Sequence, residues 1–235
     1  MMGFRHIVII VAAGKGVRMN SRKKKQYLKL DQVPVLTRTI AVFDSHEKIT
    51  DIILVLPKED RAFCLDSLIK PYGIQTPIHL VNGGATRQES VFNGLEKACD
   101  LSQELNTSLV LIHDGVRPLV DGALIDDCIA KASINGACIP AIKITDTVKR
   151  VVGTQISQTL DRESLFLAQT PQVFRLDLIL KAYAHARDDL FSGTDDASIM
   201  EHAGLPVSIT KGSLSNIKLT TPEDLSLARY FLSIL

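Results

Sequence analysis

Short aliphatic and β-branched runs recur along the chain at residues 7–11, 52–56, 78–81 and 109–112. None alternates strictly between apolar and polar positions, which is the pattern of strands covered on both faces. Helical periodicity fills the intervals. Residues 35–43 precede the second run and residues 59–69 follow it. Thr86-x-x-Glu89 forms a capping-box pattern ahead of Val91, Leu95 and Ala98. Asp121 is placed to cap a helix whose Leu124, Ile125, Cys128, Ile129 and Ala132 share one face, with Gly136 as its stop. Strands alternating with helices predict an α/β fold with a mostly parallel sheet and helices on both faces, and functional groups at the carboxyl ends of the strands.

The rhythm changes over residues 139–160. Segments 139–144, 147–152 and 155–160 read as extended with no helix between them, and Gly153-Thr154 makes a turn. They predict an arm leaving a single domain that spans residues 1–235. The α/β rhythm then resumes. Asp195 caps a helix that ends near Gly204, residues 207–210 and 216–219 read as strands, and Thr221-Pro222-Glu223 opens the last helix.

Composition narrows the class. With 235 residues, 46% of them hydrophobic, the chain is long enough for a large buried core. A formal net charge of +1 argues against a disordered chain or a bulk nucleic-acid binder, so any basic site must be local. The four cysteines show no CxxC spacing and read as free thiols of a reducing compartment. Arg5 followed by an apolar run resembles a short signal peptide, but the run is brief and ends in Gly-Lys-Gly, so a buried first strand explains it better. No apolar stretch approaches the ~20 residues that span a bilayer. The expectation is a cytoplasmic protein.

Three segments that carry chemistry fall just after strands. In Ala12-Ala-Gly-Lys-Gly-Val-Arg-Met19, Gly14 and Gly16 allow a tight turn whose N–H groups approach phosphates, although the spacing matches neither the dinucleotide fingerprint nor a Walker A loop. Lys15, Arg18, Arg22, Lys23, Lys24, Lys25 and Lys29 crowd the same stretch. A polyphosphate needs such a cluster, and a solvated or nucleic-acid-binding patch is the competing explanation. Asn82-Gly83-Gly84 follows the third strand. His113-Asp-Gly-Val-Arg-Pro118 follows the fourth, where Asp114 suits a Mg²⁺ shared with substrate phosphates, or simply a turn cap. His113 reads as a packed neighbour. No Ser/His/Asp or Cys/His set suggests a covalent mechanism.

In order, these segments resemble the 2-C-methyl-D-erythritol 4-phosphate cytidylyltransferases of the non-mevalonate isoprenoid pathway, over residues 7–227. The resemblance rests on Ala12 to Met19, Lys25-Gln26, Gly83-Gly84 with Arg87 and Ser90, His113-Asp114 with Arg117-Pro118, Asp146-Thr147, Lys149-Arg150, Asp161-Arg162, Thr170-Pro171-Gln172, Thr194-Asp195 and Asn216-Ile217-Lys218. It implies a Rossmann-like three-layer sandwich with a protruding hairpin arm, and transfer of CMP from CTP to the polyol phosphate. By position, Arg18 and Lys25 would grip the triphosphate, Lys218 the α-phosphate, and Asp114 a Mg²⁺. Ala12, Ala13, Gly14, Gly16, Gly84 and Ser90 would surround the nucleotide. Thr147, Arg162 and Thr194 would bind the polyol phosphate, with Arg117 nearby. The arm would pair two subunits into a homodimer, Thr147 and Arg162 serving the partner's site. Neither nucleic acid nor membrane is an implied partner. Two departures stand out: Lys24 where many members carry proline, and Gly115-Val116 for the more usual Ala-Ala, a pair that drifts toward ribitol-5-phosphate cytidylyltransferases. Ribitol 5-phosphate is therefore the alternative acceptor, and a non-catalytic nucleotide- or RNA-binding protein is the alternative of another class.

Overall fold

The structure is a computed structural model that describes residues 5–14 and 24–234. Strand β1, His6–Val11, is flanked in parallel by β4, Asp51–Leu56, and β6, Leu109–Asp114. Between β1 and β4 lie the small antiparallel pair β2 (Lys29–Leu30) and β3 (Val33–Pro34) and the helix α1 (Val35–Asp44). β5, Ile78–Asn82, adds to the far side of β4. The chain thus builds outward from β1 in one direction and then returns to β6 on its other side. That reversal is the topological switch point, and in open α/β sheets the crevice above it receives ligands.

Both faces of β1, β4 and β6 are buried, which explains their unbroken apolar runs, while β5 at the sheet edge is only half-buried. Val8 and Ile10 of β1, Ile52, Leu54 and Leu56 of β4, and Leu109 and Leu111 of β6 point to one core. That core holds α1 and α4 (Gly122–Asn135). The alternate residues Ile7, Ile9, Ile53, Val55, Val110 and Ile112 face a second core with α3 (Arg87–Leu101) and α5 (Leu176–Asp188). Each fully buried aliphatic side chain contributes roughly 1.5–3 kcal/mol. The caps fall where the sequence places them. Asp121 accepts from the Leu124 N–H at 2.7 Å, and Gly136 closes α4 with φ +82°. Thr86 accepts from the Glu89 N–H at 3.0 Å, while Glu89 reaches back to the Ala85 N–H rather than to Thr86's own.

Three expectations change. Residues 59–69 are not one α-helix: the short α2 (Arg61–Phe63) runs into a π-helical turn, Cys64–Ile69. Residues 139–144 do not begin the arm. They lie in β7, Ala137–Lys143, an inner strand of the main sheet whose apolar residues face both cores. The arm proper is the exposed hairpin β8 (Lys149–Val152) and β9 (Gln155–Thr159). The chain then returns as β10 (Phe166–Ala168) and β11 (Gln172–Arg175), both antiparallel to β7 on the same edge. After α6 (Asp196–His202), β12 (Ser208–Lys211) pairs with the other edge of β7, because Cys138 and Ala141 each have a partner on both sides. Residues 216–219 form no strand. The Asn216 and Ile217 N–H groups turn back to the carbonyls of Ser213 and Ser215, the Asn216 side chain donates to the Thr170 carbonyl at 2.8 Å, and the Leu219 N–H bonds to the Val116 carbonyl at 2.9 Å, so no ladder forms. Helix α7 (Pro222–Ile234) closes a third, small core over Leu30, Val35, Val116 and Leu219. No helix among the described residues is long and apolar enough to cross a membrane.

A buried polar chain fixes the end of β6. The fully buried His113 approaches the Arg117 carbonyl through Nε2 at 3.1 Å and the Thr170 hydroxyl through Nδ1 at 3.0 Å. A carbonyl only accepts, so Nε2 carries the proton and Nδ1 accepts from Thr170, whose oxygen in turn accepts the Asp114 N–H at 3.2 Å. The ring also packs edge-on against Phe43, centroids 4.9 Å apart. Burial pushes the His113 pKa down to about 4. The unfolded chain therefore binds this proton from about pH 6.5 downward while the folded protein refuses it. This contribution to stability is complete above pH 6.5 and falls by about 3 kcal/mol as the pH drops toward 4. Chemical denaturation at stepped pH should show that slope in the parent and a shallower one in His113→Gln. Equal slopes would contradict the assignment.

Candidate active site

The carboxyl ends of β1, β4, β5 and β6 are level, since Val11 pairs with both Val55 and Asp114, and Leu56 pairs with Asn82. The loops that follow therefore converge. The Ala12 N–H bonds to the Val55 carbonyl at 2.9 Å and the Gly83 N–H to that of Leu56 at 2.8 Å. A Cβ on Gly83 would lie 2.4 Å from the Ala13 Cβ, so only glycine lets the two loops approach this closely. Between them opens a cleft of about 400 Å³ bordered by Ala12, Ala13, Gly14, Gly84 and Ser90, and reached by Lys25, Lys218 and Asp114.

Gln26 holds the first loop. Its buried side-chain amide donates to the carbonyls of Ala12 at 2.9 Å and Gly14 at 3.2 Å. Ser90 holds the second: its hydroxyl accepts the Gly84 N–H at 3.0 Å and donates to the Thr86 carbonyl at 2.8 Å. The hydroxyl is thus engaged with the protein's own backbone, and what the loops offer a ligand is chiefly main chain. Lys24, at the place of the family's proline, has φ −58° and pairs with Asp60 at 2.6 Å. Tyr27 donates to that same carboxylate oxygen at 2.7 Å, so a side-chain tether stands where a ring would restrict the backbone.

At the centre is Asp114, only 7% exposed. Lys218 lies 2.9 Å from Oδ2, Arg117 3.4 Å from the same oxygen, and Arg87 3.8 Å from Oδ1. Burial by itself would raise the carboxyl's pKa, but the charges of Lys218, Arg87 and Arg117 outweigh it and hold the group well below the ordinary carboxylate range. Asp114 is an anion throughout the physiological range. Arg87 also bonds to the fully buried Asp196 at 2.7 Å, and Tyr183 donates to the other oxygen of Asp196 at 2.6 Å. Burial works against the Arg87 charge, yet Asp196 and Asp114 more than compensate and strengthen its hold on the proton. Gln172 completes the brace, accepting the Asp196 and Ala197 N–H groups at 3.1 and 3.0 Å while donating to Asp195 at 2.7 Å.

The structure thus brings together Ala12, Ala13, Gly14, Lys25, Gly84, Ser90, Asp114 and Lys218. Arg117 is largely engaged, donating to Asp114 and, at 2.7 Å, to the Asn216 carbonyl. Thr147, Arg162 and Thr194 are exposed and do not line the cleft of their own chain. Arg162 bonds to the Thr145 carbonyl at the base of the arm. Gly16 and Arg18 lie outside the described residues. Gln26, Asp196, Gln172 and Asn216 were given no role from sequence. The first sat beside Lys25 in a recognised pair, whereas nothing local marks Asp196 as the partner of an arginine 109 residues away.

A sequence model of the 2-C-methyl-D-erythritol 4-phosphate cytidylyltransferase family matches residues 6–234. A protein of that name from Syntrophotalea carbinolica is 47% identical over 225 residues, covering 96% of this chain and 95% of its own. One from Bacillus licheniformis is 42% identical, covering 96% and 94%. The solved 4-diphosphocytidyl-2C-methyl-D-erythritol synthase of Anaerococcus prevotii superposes with a TM-score of 0.83 at 33% identity, covering 98% of this chain and 96% of that one. Level strand ends, a glycine-bounded cleft and full-length likeness lead to one conclusion: the chain belongs to the 2-C-methyl-D-erythritol 4-phosphate cytidylyltransferase family and is a nucleotidyltransferase.

Proposed function

We propose that the cleft above β1 and β6 transfers CMP from CTP to 2-C-methyl-D-erythritol 4-phosphate, releasing pyrophosphate and 4-diphosphocytidyl-2-C-methyl-D-erythritol. The observation that carries this reading is the convergence of two backbone loops with Lys25, Lys218 and Asp114 in one cleft. An oxygen of the acceptor's phosphate attacks the α-phosphorus of CTP. The new P–O bond forms as the bond to the bridging oxygen breaks, and pyrophosphate leaves with that electron pair. The nucleophile is already anionic, so no general base is required. Catalysis then consists of aligning two polyanions and stabilising charge on the phosphoryl oxygens, which fixed cations in a partly dry cleft do well.

The main-chain groups of residues 12–14 and 83–84 would face the nucleotide, and Lys25, with Arg18 outside the described residues, would take the triphosphate. Lys218 is held at the lip by Asp114 and would transfer its contact to the α-phosphate. Asp114 also suits Mg²⁺. It is an ionised carboxylate at the edge of the cleft, and Mg²⁺ needs only one or two carboxylates beside phosphates and water. When bound, the ion would neutralise phosphate charge. Because Lys218, Arg117 and Arg87 already surround the carboxylate, the ion should bind together with the triphosphate rather than to the empty cleft.

The arm supports a homodimer. β8 and β9 expose Val151, Val152 and Ile156, β10 exposes Phe166 and Leu167, and an isolated two-stranded hairpin is marginal in water. Thr147 and Arg162 flank the base of this arm and do not line their own cleft, which suits service to a partner's acceptor site. Four free cysteines accord with a cytoplasmic setting.

Pyrophosphate release from CTP with Mg²⁺ should require 2-C-methyl-D-erythritol 4-phosphate. Lys218→Met should lower kcat by about 10²–10³-fold while leaving the fold intact, since this side chain is 38% exposed. Release with ribitol 5-phosphate alone, or near-normal turnover of the variant, would refute the assignment or the role. Mixing inactive Lys218→Met with inactive Arg162→Met and allowing exchange tests the shared site. Half the dimers should be mixed, each with one intact site, restoring about one quarter of parental activity. No recovery would confine each site to one chain.

A further inference from the structure

Away from the residues of the cleft, the ends of two helices bring metal-type donors together. His185 and Asp189 stand one turn apart at the end of α5, so their side chains share a face. His202 closes the last turn of α6. The Nε2 atoms of both histidines address the same carboxylate oxygen, at 2.8 Å for His202 and 3.5 Å for His185. All three donor atoms lie within 4.8 Å of one another. Zn–N and Zn–O bonds of 2.0–2.2 Å at tetrahedral angles need donors about 3.3 Å apart, so side-chain rotation alone closes the set.

The loop between the helices packs against this cluster. Leu190, with φ +54°, is the left-handed residue that caps the end of α5, its N–H bonding to the Arg187 carbonyl at 3.2 Å. The turn it makes returns the Phe191 N–H to the Ala186 carbonyl at 2.8 Å. It lays the Phe191 ring flat on the His202 imidazole, with centroids 4.0 Å apart and planes 1° apart. That contact fixes the plane of His202 and the direction of Nε2. The nearest cation on α5, Arg187, is engaged over the Phe92 ring, 6.0 Å from its centroid.

We propose that His185, Asp189 and His202 form a zinc-class metal site that clips the end of α5 to the end of α6. Two imidazoles and one carboxylate suit Zn²⁺ and leave a position for water. Each imidazole coordinates through Nε2 in the Nδ1–H form, and the ion replaces the direct His–Asp contacts. Nothing in the nucleotidyl transfer uses these residues. The clip acts on the element that opens with Asp195 and Asp196, so it steadies the brace behind Arg87 from the opposite end of α6.

Tag-free protein freed of metal by chelation should take up one equivalent of Zn²⁺ in calorimetric titration. Its Tm should rise by roughly 5–10 °C at a free concentration 100-fold above Kd. His202→Ala and, independently, the more exposed His185→Ala should each weaken binding at least about 10-fold, the loss that even outer-shell partners cause. Pyrophosphate release by His185→Ala should stay near parental. Absence of saturable uptake, or unchanged affinity in both variants, would overturn the proposal.

Discussion

A single buried carboxylate organises the working edge of this protein. Asp114 ends the strand on one side of the switch point, almost wholly buried where the cleft opens. Its charge is held by a lysine from the segment before α7, an arginine from its own turn and an arginine from the start of α3. Removing Asp114 itself would leave three cations facing one another at this edge, which generally costs more than each pair contributes. The cluster therefore ties three distant parts of the chain to one point. The polar chain through Thr170 and His113 fixes the backbone beneath it, and Asp196 fixes Arg87 from behind. A triphosphate entering the cleft meets cations already positioned by an anion, so little reorganisation is left to the reaction itself.

Much of this was legible in the sequence because it is local. Apolar runs that lack alternation could only be two-sided strands, and Asp121, Thr86 and Asp195 capped helices within one turn of themselves. Glycines and cations immediately after strands placed the cleft, since the fold class fixes which edge carries ligands. Legibility failed where the determinant is a partner far away in the chain. Residues 139–144 have the same apolar character whether they sit in a hairpin or inside a sheet, and only pairing with β11 and β12 decides. Asn216 to Leu219 looks like a strand, yet its segment is pinned by side chains to Thr170 and Asp114 and by one backbone bond to Val116 instead. Asp196 and Gln172 read as ordinary loop polarity until burial shows that their charges and amides must be satisfied internally.

The arrangement also separates what is built in from what must arrive. Backbone loops, Lys25, Lys218 and Asp114 lie in one cleft of one chain, whereas Thr147 and Arg162 are exposed on either side of the base of a hairpin that has no core of its own. On the proposed reading, nucleotide binding and acceptor binding would depend on different amounts of assembly. The same economy applies to α6: its first residues brace the catalytic edge, and its last residue meets the end of α5 at the proposed clip.

This edge works only if Asp114 remains a carboxylate, held ionised by its three cations despite burial. The direct test is the pH titration of its side-chain carboxyl carbon by NMR in the ligand-free protein. No protonation is expected as the pH falls from 8 to the ordinary aspartate midpoint of about 4. A midpoint at or above that value would mean that burial wins over the cations, and the site would have to be rebuilt around a neutral acid.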